Sequence, residues 1–205
     1  MGVGKTTLAA HLRSRGARII DADGIGHVIL KRTTVKRRLQ QAFGEQVVQS
    51  DGTVDRRSLA KQAFESSDGV SQLNEIVGEP LSAELWNRVG DARGSAGGTV
   101  VVDAALLIEW GMQERFDAIV VVTVDEEETL IGRLESDRGL ERGDILRRLS
   151  VQGPVKDKVV AADFVVHNDG NLEALEEKAD GLWDDLENLR ERMKTSRTSP
   201  SAGDR

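Results

Sequence analysis

Apolar residues fall into two kinds of run along the chain. Short β-branched stretches at Arg18–Asp21, Thr99–Asp103, Ala118–Val124 and Phe164–Val166 are apolar at consecutive positions. That pattern predicts strands covered on both faces, as in a parallel sheet flanked by helices, because a half-exposed strand would alternate. Elsewhere apolar residues recur at helical gaps, predicting helices over Lys5–Ser14, Val35–Phe43, Arg56–Phe64, Val70–Val77, Leu81–Val89, Glu126–Glu135 and Asp144–Val151. Strands alternating with helices, with a block of consecutive helices in the middle, predict a doubly wound α/β domain carrying a helical insertion. Leu172, Leu175, Ala179, Leu182, Leu186 and Leu189 mark a last helix. Their stripe is short for a coiled coil and better suits an amphipathic helix closing one face of the sheet. Beyond Lys194 the polar tail TSRTSPSAGDR predicts disorder over 195–205.

Composition narrows the function classes. The 205 residues carry a net charge of −7, which argues against a broad nucleic-acid surface, since that needs clustered Lys and Arg. Any phosphate site must be local. With no cysteine there is no disulfide framework, no thiol nucleophile and no Cys-ligated metal, which fits a cytoplasmic setting. The longest strongly apolar run, Ala118–Val124, falls far short of the roughly 20 residues of a membrane helix, so neither a span nor a leader is expected. His11, His27 and His167 show no metal-ligand spacing.

The strongest chemical signal is GVGKTT, Gly2–Thr7, opening the first helix. It matches the end of the phosphate-loop signature G-x-x-x-x-G-K-[ST]. Glycines let backbone N–H groups approach phosphates, and the helix N-terminus adds partial positive charge. Lys5 would reach the β- and γ-phosphates of ATP and the Thr6 hydroxyl would sit on Mg²⁺. The full signature also has an earlier glycine and a feeding strand. Losing about four buried side chains of such a strand, at ~1.5–3 kcal/mol each, would cost about 6–12 kcal/mol, comparable to the ~5–15 kcal/mol stability of a whole domain. The expectation is a natural start upstream, about ten residues before Met1, with the first strand missing from this chain.

After the first helix comes GARIIDADGIGHV, residues 16–28, with Asp21 and Asp23 at the C-terminal end of a short strand, where α/β sheets place ligands. Asp23 could take a proton from an attacking hydroxyl or organise Mg²⁺; it could also simply cap a helix.

At these residues the chain resembles the dephospho-coenzyme A kinase family, a phosphate-loop kinase family whose loop is followed by a short helix, a D-A-D strand end and often a histidine four residues on. Further segments resemble that family in order: FGEQVVQSDGTVDRRSLAKQAF (Phe43–Phe64), DAALLIEWG (Asp103–Gly111) and VQGPVKDKVVAADFVVHNDG (Val151–Gly170). The resemblance implies a three-layer α/β/α fold of the P-loop NTP hydrolase type with a parallel five-stranded core. It implies one domain over 1–194, with core segments 1–30 and 96–194, a helical substrate region over about 31–95 and a lid over about 126–150. The implied activity is ATP-dependent phosphorylation of the ribose 3′-hydroxyl of dephospho-CoA, the last step of coenzyme A synthesis. ATP and Mg²⁺ would take part, and the protein would be a monomer or weak homo-oligomer that binds neither nucleic acid nor membrane. By motif match Asp23 is the base; Gly2, Val3, Gly4, Lys5, Thr6, Thr7 and Asn168 hold ATP; His27, Leu106 and Glu109 join Asp23 on the substrate side. From the lid, EEETLIGRLESDRGLERGDILRRL (126–149), Arg133 and Arg138 would neutralise the transferring phosphoryl group. A helix this rich in Glu and Arg is also an ordinary solvated face.

The chain departs from the family pattern in three places. The two lid arginines are five apart rather than four. LNEIVGEPL (73–81) lacks the family's histidine and has one added residue. The family's P-L-L is Ala105-Leu106-Leu107 here. Two other readings of GVGKTT are a partitioning-type ATPase with a deviant loop, disfavoured by the short gap from Thr7 to Asp21, and a nucleotide-binding relative without catalysis.

Overall fold

A computed structural model of the chain describes residues 2–63, 67–94, 98–105, 107–108, 111–151 and 154–198. Helix α1 (Lys5–Ser14) begins directly at the loop, with Gly4 as its N-cap in the left-handed region at φ 93°. It buries Leu8, Ala9 and Leu12, whose spacing is one face of a helix. Strand β1 (Arg18–Asp21), α2 (Ala22–Lys31), α3 (Thr33–Phe43), α4 (Arg56–Ala63), α5 (Ser67–Leu73) and α6 (Glu79–Gly94) follow. Then come β2 (Val100–Asp103), β3 (Val120–Thr123), α7 (Glu127–Arg138), α8 (Arg142–Val151), α9 (Val155–Val160), β4 (Phe164–His167) and α10 (Leu172–Thr198).

The chain divides into two compact units: residues 1–19 with 103–205, and Ile20–Val102. Strands β1 and β2, where the chain passes between the units, form one two-stranded sheet, and β3 and β4 form another. The second pair is parallel, in register from Val120↔Phe164 to Thr123↔His167. Four strands thus stand among the described residues, paired two by two. All four expected apolar runs are strands, and the mixed α/β class with parallel pairing is the one anticipated.

In the first unit α10 packs against α1, burying Leu175, Ala179 and Leu182. Its expected stripe is buried only in the middle: Leu172 is 58% exposed. The helix also runs to Thr198, four residues into the segment expected to be a tail; 199–205 lie outside the described residues. Helices α7 and α8 form their own core with Leu130, Ile131, Leu134 and Ile145 buried, and Val3 of the phosphate loop packs against it.

The second unit is helical, and it starts at Ile20, because α2 belongs to it. Ile25 and Ile29 of α2 are fully buried, and the helix packs against α3 and α6. Between α5 and α6 the residues Asn74–Gly78 form a π-helix without a break in the rod. An extra residue in a helix is accommodated as such a bulge, and this one falls within LNEIVGEPL. The segment before α4 is a tight hairpin: Val48 bridges Val54, Gly52 turns at φ 78°, and the Asp55 carboxylate caps α4 by accepting from Ser58 N at 3.0 Å.

Candidate functional site

The phosphate loop folds back on its own unit. Gly2 (φ 73°) and Gly4 (φ 93°) both lie in the left-handed region, where a side chain is strained. Neither has room for one. A Cβ on Gly2 would stand 2.7 Å from Leu134 Cδ2, and one on Gly4 would collide with the Asn168 side chain. Loop and α7 therefore meet with backbone against side chain.

At the start of α1, Lys5 forms an ion pair with Asp103, the last residue of β2, whose side chain is 10% exposed. The Thr6 hydroxyl donates to Asp103 Oδ2 at 3.4 Å. Asp103 was not among the expected site residues, which took its neighbours Leu106 and Glu109 instead. The signal was there: a carboxylate closing an apolar strand is where α/β sheets bind ligands, and phosphate-loop proteins hold Mg²⁺ with the loop Ser/Thr and a strand-end Asp. Thr7 stands exposed in the same turn.

Asn168 follows β4. Its Nδ2 donates to the Val3 carbonyl at 3.0 Å, and its own carbonyl accepts from Arg133 Nη1 at 2.7 Å. Arg133 Nη2 donates to the Gly170 carbonyl at 3.2 Å. Arg133 was expected as a phosphoryl-neutralising group; here its guanidinium grips backbone. The side chain of Arg138, at the end of α7, and both Leu106 and Glu109 lie outside the described residues.

In the second unit the two aspartates separate in role. Asp21 is the N-cap of α2, accepting from Gly24 N at 2.9 Å. Asp23, in the first turn, is exposed, and among the described residues its carboxylate has no hydrogen-bond partner. The cap reading thus belongs to Asp21 and leaves Asp23 available for chemistry. His27 Nδ1 lies 2.9 Å from the Asp23 carbonyl, and Arg56 Nη1 lies 2.8 Å from His27 Nε2.

The other histidines pair with carboxylates. His11 Nε2 meets Asp180 Oδ1 at 2.7 Å, with Arg15 at 3.1 Å from the same oxygen. The hydrogen bond from His11, then the charge of Arg15, hold the Asp180 carboxyl below its usual range. His167 Nδ1 meets Asp125 Oδ1 at 2.9 Å. With Asp169 these two form an exposed cluster within 4.8 Å, but its members already bond one another.

With this geometry in place, comparison with known proteins is decisive. The family model described as Dephospho-CoA kinase matches residues 1–174. The chain belongs to the dephospho-CoA kinase family. It is 38% identical over 183 residues to the Dephospho-CoA kinase of Corynebacterium efficiens, covering 89% of this chain and 91% of that protein. Against the Dephospho-CoA kinase of Geobacter sulfurreducens it is 33% identical over 181 residues, 88% of this chain and 91% of that one. Its structure resembles the crystal structure of TT1252 from Thermus thermophilus, with TM-score 0.76, 30% identity and coverage of 91% and 93%. The Dephospho-CoA kinase from Campylobacter jejuni shares the fold at TM-score 0.65 and 20% identity, with coverage of 91% and 92%. Family membership disfavours the partitioning-ATPase reading. Among the described residues no helix is long and apolar enough to cross a membrane.

Proposed function

We propose that the protein transfers the γ-phosphoryl group of ATP to the ribose 3′-hydroxyl of dephospho-CoA, giving coenzyme A and ADP. Supporting this reading is the grouping of Lys5, Thr6 and Asp103 at the mouth of α1 in a chain of this family. Gly2–Thr7 bind the ATP phosphates through backbone N–H groups, the helix N-terminus and Lys5. Asp23 takes the proton as the hydroxyl oxygen bonds to phosphorus and the bond to the ADP oxygen breaks. His27 belongs to the acceptor side, and the resemblance adds Leu106 and Glu109.

The donor set of Thr6 and Asp103 is all oxygen with one carboxylate, which fits Mg²⁺. Bound there, the ion would supply positive charge to the phosphate oxygens. The resemblance offers Arg133 and Arg138 for the remaining charge; Arg133 would first have to leave the two carbonyls it holds. The acidic net charge supports a small-molecule acceptor rather than nucleic acid. The cytoplasm as its place of work and a monomeric or weakly associating state complete the proposal.

The test is ATP-dependent conversion of dephospho-CoA by the protein and by Asp23→Asn. Turnover that drops at least about 10²-fold in the variant, with ATP binding kept, supports the reading. A folded protein that binds ATP and leaves dephospho-CoA unchanged overturns it in favour of a non-catalytic nucleotide binder.

A further inference from the structure

Asn168 is a polar residue 8% exposed, and its backbone and its side-chain amide nitrogen are all engaged. Its N–H continues the β3–β4 ladder to the Thr123 carbonyl at 2.7 Å. Arg133 takes its carbonyl at 2.7 Å, and its amide nitrogen donates to the Val3 carbonyl at 3.0 Å. Turning this side chain toward a ligand would strip the Val3 carbonyl of a partly buried partner.

That bond falls at the point where the loop is least constrained by its own backbone. Val3 sits between two glycines at positive φ, and glycine backbone is conformationally permissive. The peptide plane joining Val3 to Gly4 is rigid and trans, so its C=O and N–H point in opposite directions. Fixing the Val3 carbonyl on Asn168 therefore aims the Gly4 N–H away from Asn168. Among the described residues that N–H has no partner, the condition for binding an anion. Leu130 and Leu134 press on Gly2 from the same helix that carries Arg133.

We propose that Asn168 is a positioning residue for the phosphate loop, held in place by Arg133, and that it acts on the polyphosphate of any nucleotide rather than reading the base. The inference deepens the kinase reading and rests on it for turnover only; its deciding measurement is binding.

Affinities for ATP, GTP and inorganic tripolyphosphate are measured by calorimetry for the full chain, Asn168→Ala and Arg133→Ala. All three ligands should weaken alike in Asn168→Ala, by about 5–30-fold, with the ATP-to-GTP ratio of the parent kept and the KM for dephospho-CoA unmoved. Arg133→Ala should show the same pattern at smaller amplitude. A ratio that collapses while tripolyphosphate binding holds would make Asn168 a base reader and overturn the proposal. Unchanged affinity for all three would overturn it too. If Asn168→Ala does not fold, Asn168→Asp keeps the shape and the Thr123 bond but has no donor for Val3, and the same outcomes decide. A parent protein that binds tripolyphosphate yet never phosphorylates dephospho-CoA refutes the kinase reading while these affinities still judge the brace.

Discussion

Arg56 reaches across from the start of α4 to His27 on α2, with Nη1 at 2.8 Å from Nε2. A guanidinium only donates, so Nε2 accepts and the ring proton sits on Nδ1, where it donates to the Asp23 carbonyl at 2.9 Å. The imidazole thus links Arg56 to the turn that carries Asp23. Arg56→Ala and His27→Ala should each raise the KM for dephospho-CoA about tenfold while the KM for ATP stays within about twofold. Because they act in series, the double variant should be no worse than the weaker single variant by more than about twofold. Two-substrate kinetics on the three variants checks this; additive losses, or a shift confined to ATP, would break the link.

Asp103 holds both Lys5 and Thr6, so its carboxylate should matter beyond folding. Asp103→Asn is expected to lower kcat by about 10²-fold or more and to raise the Mg²⁺ concentration needed for half-maximal rate. The melting temperature should move little, since Lys5 is 31% exposed and keeps access to water. Initial rates across a Mg²⁺ series measure it. An unchanged Mg²⁺ requirement would remove Asp103 from the metal's neighbourhood.

The strands and the loop were legible because their signals are local. Consecutive β-branched residues read the same in any context, and GVGKTT names its chemistry. Helix α2 was not legible. Two glycines and the run Val28-Ile29-Leu30 blur DADGIGHVILK, and the helix owes its start to the Asp21 cap and its hold to the burial of Ala22, Ile25 and Ile29, which is tertiary information. Nor could pattern alone divide Asp21 from Asp23, since either spacing suits a cap; the bond to Gly24 decides it. The backbone contacts of Arg133 were hidden for a similar reason. A Glu- and Arg-rich helix looks like a solvated face or a lid, whereas its contacts to two carbonyls depend on where β4 ends.

Gly4 and Gly16 offer a matched pair. Both have strongly positive φ, 93° and 111°, but a Cβ at Gly4 would strike Asn168, while at Gly16 it would meet nothing within 4 Å. Each substitution by alanine should cost stability from backbone strain, about 1–3 kcal/mol. Only Gly4→Ala should also weaken ATP binding, by about tenfold or more, because it displaces the Asn168 side chain from Val3. Urea unfolding and nucleotide titration of the two variants separate strain from loop damage. Equal ATP affinity in both would mean the contact with Asn168 has no bearing on the loop.

Acid should loosen both units through named carboxylates. Asp180 is held below its ordinary 3.8 by the hydrogen bond from His11, then by Arg15; Glu84 is held below 4.5 by hydrogen bonds from Arg88, then Arg32. A carboxyl whose folded pKa is depressed binds fewer protons in the folded state than in the unfolded one, so stability rises with pH across the interval between the two values. The contribution is therefore fully present above the ordinary values and is lost as pH falls through the folded ones. Both groups are exposed at their edges, so the effect is a slope rather than a collapse. Urea unfolding between about pH 6 and pH 3 should show stability level at first and then falling below about pH 4.5. Asp180→Asn with Glu84→Gln should lower the plateau and flatten that fall. If the double variant declines as steeply as the parent over the same interval, other carboxylates carry the acid sensitivity.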